Sequence, residues 1–547
     1  MLPCLSVTLG VLFLGTLLGG GFLAREEMRH ATLHSRWVAD FAKEITWDVR
    51  PGPATAPLLP DRGPWDERLG YAGLPAFSER LATAGYAITR QAEPSRRMTE
   101  LAGLGFFNAY EEKSQAGLEL RDANGARLQQ ARYPRNVYGA FDDVPDLVAR
   151  ALLYVEDREL LDPSRPTMNP VVDWDRFGMA VVQQGLKAVG LEHRSFGAST
   201  LATQLEKFRH SPGGITHDGK DKLRQMASAT LRVYRGGAEN LPARRRLLLD
   251  YLNSLPLAAQ PGYGEVSSLG DGLQAWFGSD FAEVNRVLAN PEAPIEQRAL
   301  HFKQVLALVL AVRRPSYYLG HDAAALEQLT DSHLRRMARE QVIPASLASA
   351  AERQPLQLRE RASVSPLVDF TQQKGLNLAR TQLLGLLGVK SLYELDRIDL
   401  AATTTLDASV QREVTGFLRS LAKPERIAEL GLDGEKLLRA DDPAKLVYSF
   451  TLYERGEGMN RLRVNADNLD QPLDINAGAK LDLGSTAKLR TLVSWLELIA
   501  AAHARYSGLA EAEQGRASLH PKDRLSGWVL DYLAANPGAG LRETLEA

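Results

Sequence analysis

A chain of 547 residues with 44% hydrophobic content is long enough to bury roughly two or three cores. Its formal net charge of −2 gives no electrostatic footprint for nucleic acid, and its single cysteine, Cys4, excludes an intrachain disulfide.

From Met1 to Ala24 no side chain is charged, and Leu5 to Leu23 could cross a bilayer as a helix at about 1.5 Å per residue. Residues 1–24 read as a transmembrane anchor. A cleaved signal peptide competes, favoured by Gly19 to Gly21 and Ala24 and opposed by the missing basic n-region. Cys4 precedes the apolar run, which argues against a lipoprotein attachment site. Residues 25–115 carry loop punctuation around Pro51, Pro53 and Pro60 and no motif, so they read as a juxtamembrane segment with short helices.

Leu118 to Gln129 alternates around Asn124-Gly125, a β-hairpin signature. Helical patterns begin at Pro145 and dominate to about residue 355. The first helix ends in an acidic pair, Glu156-Asp157. After Gly197, Ser199 is placed to cap a helix on which Thr200, Gln204 and Lys207 fall at i, i+4 and i+7. Leu201, Leu205 and Phe208 form the apolar stripe beside it. Asn240-Leu-Pro242 opens a further helix, and Leu329 to Leu356 has the spacing of two. Asp399 to Asp407 is a β-rich run leading into a helix from Ser409 to Leu421. Ser485 and Lys488, at i and i+3, could place a hydroxyl beside an amine on one helix.

Four ordered segments carry a family resemblance. Glu156-Asp157 and the run Gly197, Ser199, Thr200, Gln204, Lys207 resemble the first two motifs of the bacterial peptidoglycan glycosyltransferases, the front half of class A penicillin-binding proteins. Leu247 to Asn253 resembles that family's I-L-E-x-Y-L-N helix, and Ala311 to Tyr318 its closing segment ending in P-S-x-Y. Further on, Thr403 to Gln411 and Gly484 to Lys488 resemble the opening and the nucleophile motif of the penicillin-binding transpeptidase domain.

The resemblance implies a mainly α glycosyltransferase domain with a lysozyme-like helical lobe over residues 116–360. It implies an α+β, partial transpeptidase-like domain over 361–547. It implies an anchored, single-pass inner-membrane protein with its body on the periplasmic side, although Arg25, Arg29 and Arg36 after the span point the other way. The implied reaction polymerises glycan strands from polyprenyl-pyrophosphate-linked disaccharide-peptide (lipid II) with inversion. By position Glu156 is the general base, and Lys207 assists the pyrophosphate leaving group with Thr200 and Gln204. Asp157, Ser199, Lys222, Arg224 and Asn253 complete the substrate-binding set. No cofactor is required, with stimulation by a divalent cation an option; the implied partners are lipid II, the growing strand, the membrane and other cell-wall synthesis proteins.

Several positions depart from the pattern. Leu160 replaces an aromatic residue, Thr203 the first of two glutamines, and Asp250 follows Leu249 where the family has Glu. The third motif aligns with Asp221 to Gln225, which puts neutral Gln225 at the second acidic, catalytic position. No S-x-N or K-T-G follows Lys488, so either the chain is a fragment or its second domain is not a working transpeptidase. Two rival classes stay open. One is a non-catalytic scaffold or pseudoenzyme that binds glycan or lipid II, and the other a serine hydrolase using Ser485.

Overall fold

The computed structural model describes residues 20–60, 62–172, 199–360, 370–434, 438, 443–480, 484–509 and 519–547. They form two compact units, Met1–Pro472 and Leu473–Ala547. The expected anchor falls almost wholly outside the described residues; among those described, no helix is long and apolar enough to cross a membrane.

After helical residues 20–30 the first unit holds helix α1 (Thr32–Ala42), strand β1 (Trp47–Pro51), the short helix α2 (Pro64–Arg68), strand β2 (Arg90–Pro94) and helix α3 (Arg96–Gly103). β1 and β2 pair antiparallel, Trp47 opposite Pro94, a sheet that the loop-like composition of this stretch did not announce. Ala42, Ile45, Met98, Leu101 and Ala109 close a small core beneath it.

The expected hairpin forms from β3 (Leu118–Arg121) and β4 (Arg127–Gln130). Asp122 holds its loop, with Oδ1 accepting from the Asn124 and Ala126 N–H groups at 2.9 and 2.7 Å. Gly125 supplies the positive φ of 85° that the turn demands.

Helices α4 (Asp146–Val155), α5 (Leu201–His210), α6 (Gly219–Tyr234) and α7 (Leu241–Leu252) follow, then α8 (Ile295–Ala311), α9 (Ala323–Arg339) and α10 (Ala345–Arg353). α8 is the centre: every residue from Phe302 to Ala311 is buried. A helix apolar on nearly all sides must be surrounded, and α4, α5, α7, α9 and α10 all contribute to its core. Lys303, a cation in that buried stretch, is neutralised by Glu327 and Asp331 at 3.1 and 2.9 Å.

After α11 (Phe370–Leu387), strand β7 (Leu400–Thr403) pairs parallel with β3. Earlier in the chain, β5 (Leu257–Gln260) and β6 (Gly264–Val266) form a separate two-stranded ribbon. Helix α12 (Ala408–Ser420) packs on β9 (Asn460–Asp467), which pairs antiparallel with β8 (Ser449–Arg455). The second unit holds α13 (Ala487–Tyr506) and α14 (Arg524–Ala535), joined through Ala502, Tyr506, Val529 and Leu533.

Candidate active site

Glu156 is the C-terminal cap of α4, its N–H donating to the Leu152 carbonyl at 2.9 Å. Leu147, Val148, Ala151 and Leu152 bury the inner face of that helix, which leaves Glu156 half-buried where it ends. Arg158, the partner that a purely structural role for Glu156 would use, instead pairs with Glu340 at 2.6 Å and lies over the Tyr154 ring.

A polar partner of Glu156 comes from α5. Gln204 Nε2 donates to Glu156 Oε2 at 2.9 Å, and the Tyr251 hydroxyl of α7 donates to Gln204 Oε1 at 3.1 Å. Burial, with the Glu156 charge adding to it, pushes the Tyr251 phenol well above its ordinary value, so it stays a donor. Lys207 lies one turn beyond Gln204, half-buried and 4.8 Å from the centre of the Phe208 ring. Burial lowers its pKa, and the charge of Glu156 opposes that shift.

The α5 N-terminus departs from the sequence reading. Thr200, not Ser199, is its cap. Thr200 Oγ1 accepts from the Thr203 N–H at 3.4 Å, and Thr203 Oγ1 accepts from the Thr200 N–H at 3.0 Å. This reciprocal box explains why threonine serves at a position where the resembled motif has glutamine. Thr200 Oγ1 also donates to the Val171 carbonyl, and the residue is 4% exposed, so it belongs to the helix start and not to the polar stripe. Ser199 instead accepts from Lys222 Nζ at 3.0 Å. Burial, followed by repulsion from Lys207, lowers the Lys222 pKa to about 8. Two half-buried ammonium groups thus share the space beside α5. Asp157 lines a neighbouring cleft of about 390 Å³ with Arg29, Arg165 and Thr200. Residues 173–198, which include Gly197, lie outside the described residues.

Three predicted positions have other employment. Gln225 is fully buried, its Nε2 donating to Ser211 and Thr216 Oγ at 3.0 Å each. Asn253 bridges the backbone of Tyr138, accepting from its N–H at 2.8 Å and donating to its carbonyl at 2.9 Å. Arg224 stacks on Phe107 at 4.2 Å and lines a cavity of about 850 Å³ whose walls include neither Glu156 nor Lys207. In the second unit, Ser485 sits in a 3-10 turn before α13 and Lys488 in its first turn, both exposed. Among the described residues no group of three or more His, Cys, Asp or Glu side chains could hold a metal ion.

Two residues of consequence were not singled out. Tyr251 was visible only as the aromatic of its helix motif. Arg244 is fully buried and donates to the carbonyls of Leu160 and Arg165 at 2.9 and 2.8 Å, holding the loop after Glu156. Its signal was an arginine among apolar neighbours, obscured by Arg245 and Arg246 beside it.

Residues 124–338 match the family model described as transglycosylase. No curated protein matches the chain. Among solved structures, the chain is similar to penicillin-binding protein 1A from Haemophilus influenzae, with 12% identity and a TM-score of 0.25. That alignment covers 69% of this chain and 41% of the other, so the chain spans less than half of that protein's length. The helical segment that brings Glu156, Gln204 and Lys207 together is accordingly a domain of the transglycosylase family.

Proposed function

We propose that this domain polymerises glycan strands from a polyprenyl-pyrophosphate-linked disaccharide-peptide, lipid II, at the outer face of a membrane. Glu156 takes the proton from the 4-hydroxyl of one saccharide as that oxygen bonds to the anomeric carbon of another. The anomeric carbon–oxygen bond to pyrophosphate breaks on the opposite face, so configuration inverts and polyprenyl pyrophosphate leaves. One observation supports this most: a half-buried carboxylate held by Gln204 shares its surroundings with two half-buried cations, Lys207 and Lys222. Burial makes those charges costly unless an anion approaches, and a departing pyrophosphate is such an anion. Gln204, oriented by Tyr251, would keep the carboxylate aimed while it accepts the proton.

The anchor at residues 1–24 would bring the site to a substrate that is itself membrane-bound. Gln225 favours a second reading, a scaffold that binds glycan or lipid II without turnover, because a neutral, hydrogen-bonded amide occupies the second acidic position of the resembled motif. Glycan formation from purified lipid II separates the two. Glu156→Gln should lower turnover about a hundredfold or more, the scale of losing a general base. A wild-type chain that binds lipid II but makes no polymer supports the scaffold, and an active Glu156→Gln chain removes Glu156 from the mechanism.

A further inference from the structure

We propose that residues 25–115, which lie outside the family-matched segment, form a clamp that sets the position of α5 in the cleft, with Glu112 as its positioning residue. This rests on the glycosyl-transfer reading of Glu156 and Lys207.

The clamp closes on the last turn of α5, immediately after Lys207. Glu112, itself outside the matched segment, meets three cations: Arg209 at 2.5 Å, His210 at 2.6 Å and Arg232 of α6 at 2.9 Å. Asp66 of α2, 3% exposed, meets the other ring nitrogen of His210 at 2.8 Å. Two carboxylates on one imidazole assign His210 as a cation donating from both nitrogens. Arg232 ties in the chain before Glu112, donating to the carbonyls of Asn108 and Tyr110 at 3.0 and 2.9 Å. It also donates to Glu206 of α5 at 2.7 Å.

Backbone contact adds to charge. A Cβ at Gly63 would lie 2.0 Å from the Arg209 carbonyl oxygen and 2.5 Å from His210 Cα, so only glycine lets α2 start against the end of α5. One buried side of this short helix is therefore held by a segment that the family-matched region does not supply. Its adjacent side presents Gln204 and Lys207. Because a helix moves as a rod, a shift at Arg209 and His210 is transmitted to both, and displacement by about 1 Å can cost on the order of a hundredfold in rate.

The test uses the full chain in detergent with lipid II. Glu112→Gln keeps the shape and removes the charge; kcat per folded molecule should fall about tenfold or more with KM within about twofold. Glu112→Asp should recover part of the loss. Gly63→Ala, which removes no charge, should give the same kcat-weighted loss, and in both damaging variants amides 201–210 should exchange hydrogen faster than in the parent. A loss matched by the unfolded fraction, or unchanged kcat in folded Gly63→Ala and Glu112→Gln, overturns the clamp while leaving an inactive Glu156→Gln chain intact as support for the site. An active Glu156→Gln chain overturns the site reading instead, and the exchange data report on the clamp separately.

Discussion

A carboxylate at the C-terminal end of a helix gains nothing from the helix dipole, whose negative pole lies there, and Glu156 draws on Gln204 of α5 as a donor. Lys222 makes a sharper statement. Its pKa of about 8 places its loss of charge within reach of ordinary assay conditions. If charged Lys222 helps the leaving group, kcat/KM for lipid II should decline as pH rises through about 8, and Lys222→Arg, which cannot deprotonate in that range, should move or remove the decline. An unchanged limb in Lys222→Arg would assign the titration to another group. At this scale spacing put Gln204 and Lys207 on one face of one helix, as the structure has them. It could not show partners distant in sequence: nothing in the local pattern of Thr200, Asn253 and Gln225 marks the carbonyl, N–H or hydroxyl that each meets.

Elements were read well wherever periodicity was long. The helices at Asp146–Val155, Leu201–His210 and Leu241–Leu252 lie where their apolar stripes put them, the cap of the second shifted by one residue. Their mutual placement depends on buried ions that periodicity does not encode. Arg244 spans from α7 to the loop after Glu156; Arg244→Met keeps the apolar stem but strips the Leu160 and Arg165 carbonyls of their donors. Chemical denaturation should show a loss of at least about 2 kcal/mol, and turnover should drop with it. Stability unchanged in that variant would mean that water replaces the guanidinium.

His210 gives the clamp a pH signature. Burial alone lowers its pKa, but the charge of Glu112 and hydrogen bonds to Asp66 and Glu112 outweigh that and raise it from the ordinary 6.5 to about 9. The charge of Glu206 adds to that rise, and Arg232 lies 3.5 Å from the same ring. Because the folded value exceeds the unfolded one, its contribution is fully present below about pH 6.5 and lost as pH rises through about 9, on the order of 3 kcal/mol in all. The melting temperature of the first unit should fall over that window, and His210→Gln should flatten the slope. A slope that persists in His210→Gln would assign it to other groups.

At the scale of the whole molecule, the parallel pairing of β3 with β7 joins residues nearly three hundred positions apart, a contact for which the sequence carries no local mark. The hairpin at Asn124-Gly125 and the strand near Leu400 were each visible; that they share one sheet was not. The second unit presents another case, a motif visible in the sequence whose two polar residues lie exposed in the structure. Acylation by a serine needs nucleophile, base and oxyanion donors fixed as one unit, and separating them costs orders of magnitude in rate. Ser485 and Lys488 are both exposed, the first in a turn and the second in the helix after it. The chain should therefore form no stable covalent adduct with a fluorescent penicillin under conditions that label a working transpeptidase. Labelling that disappears in Ser485→Ala would show that the pair becomes enclosed when the β-lactam binds.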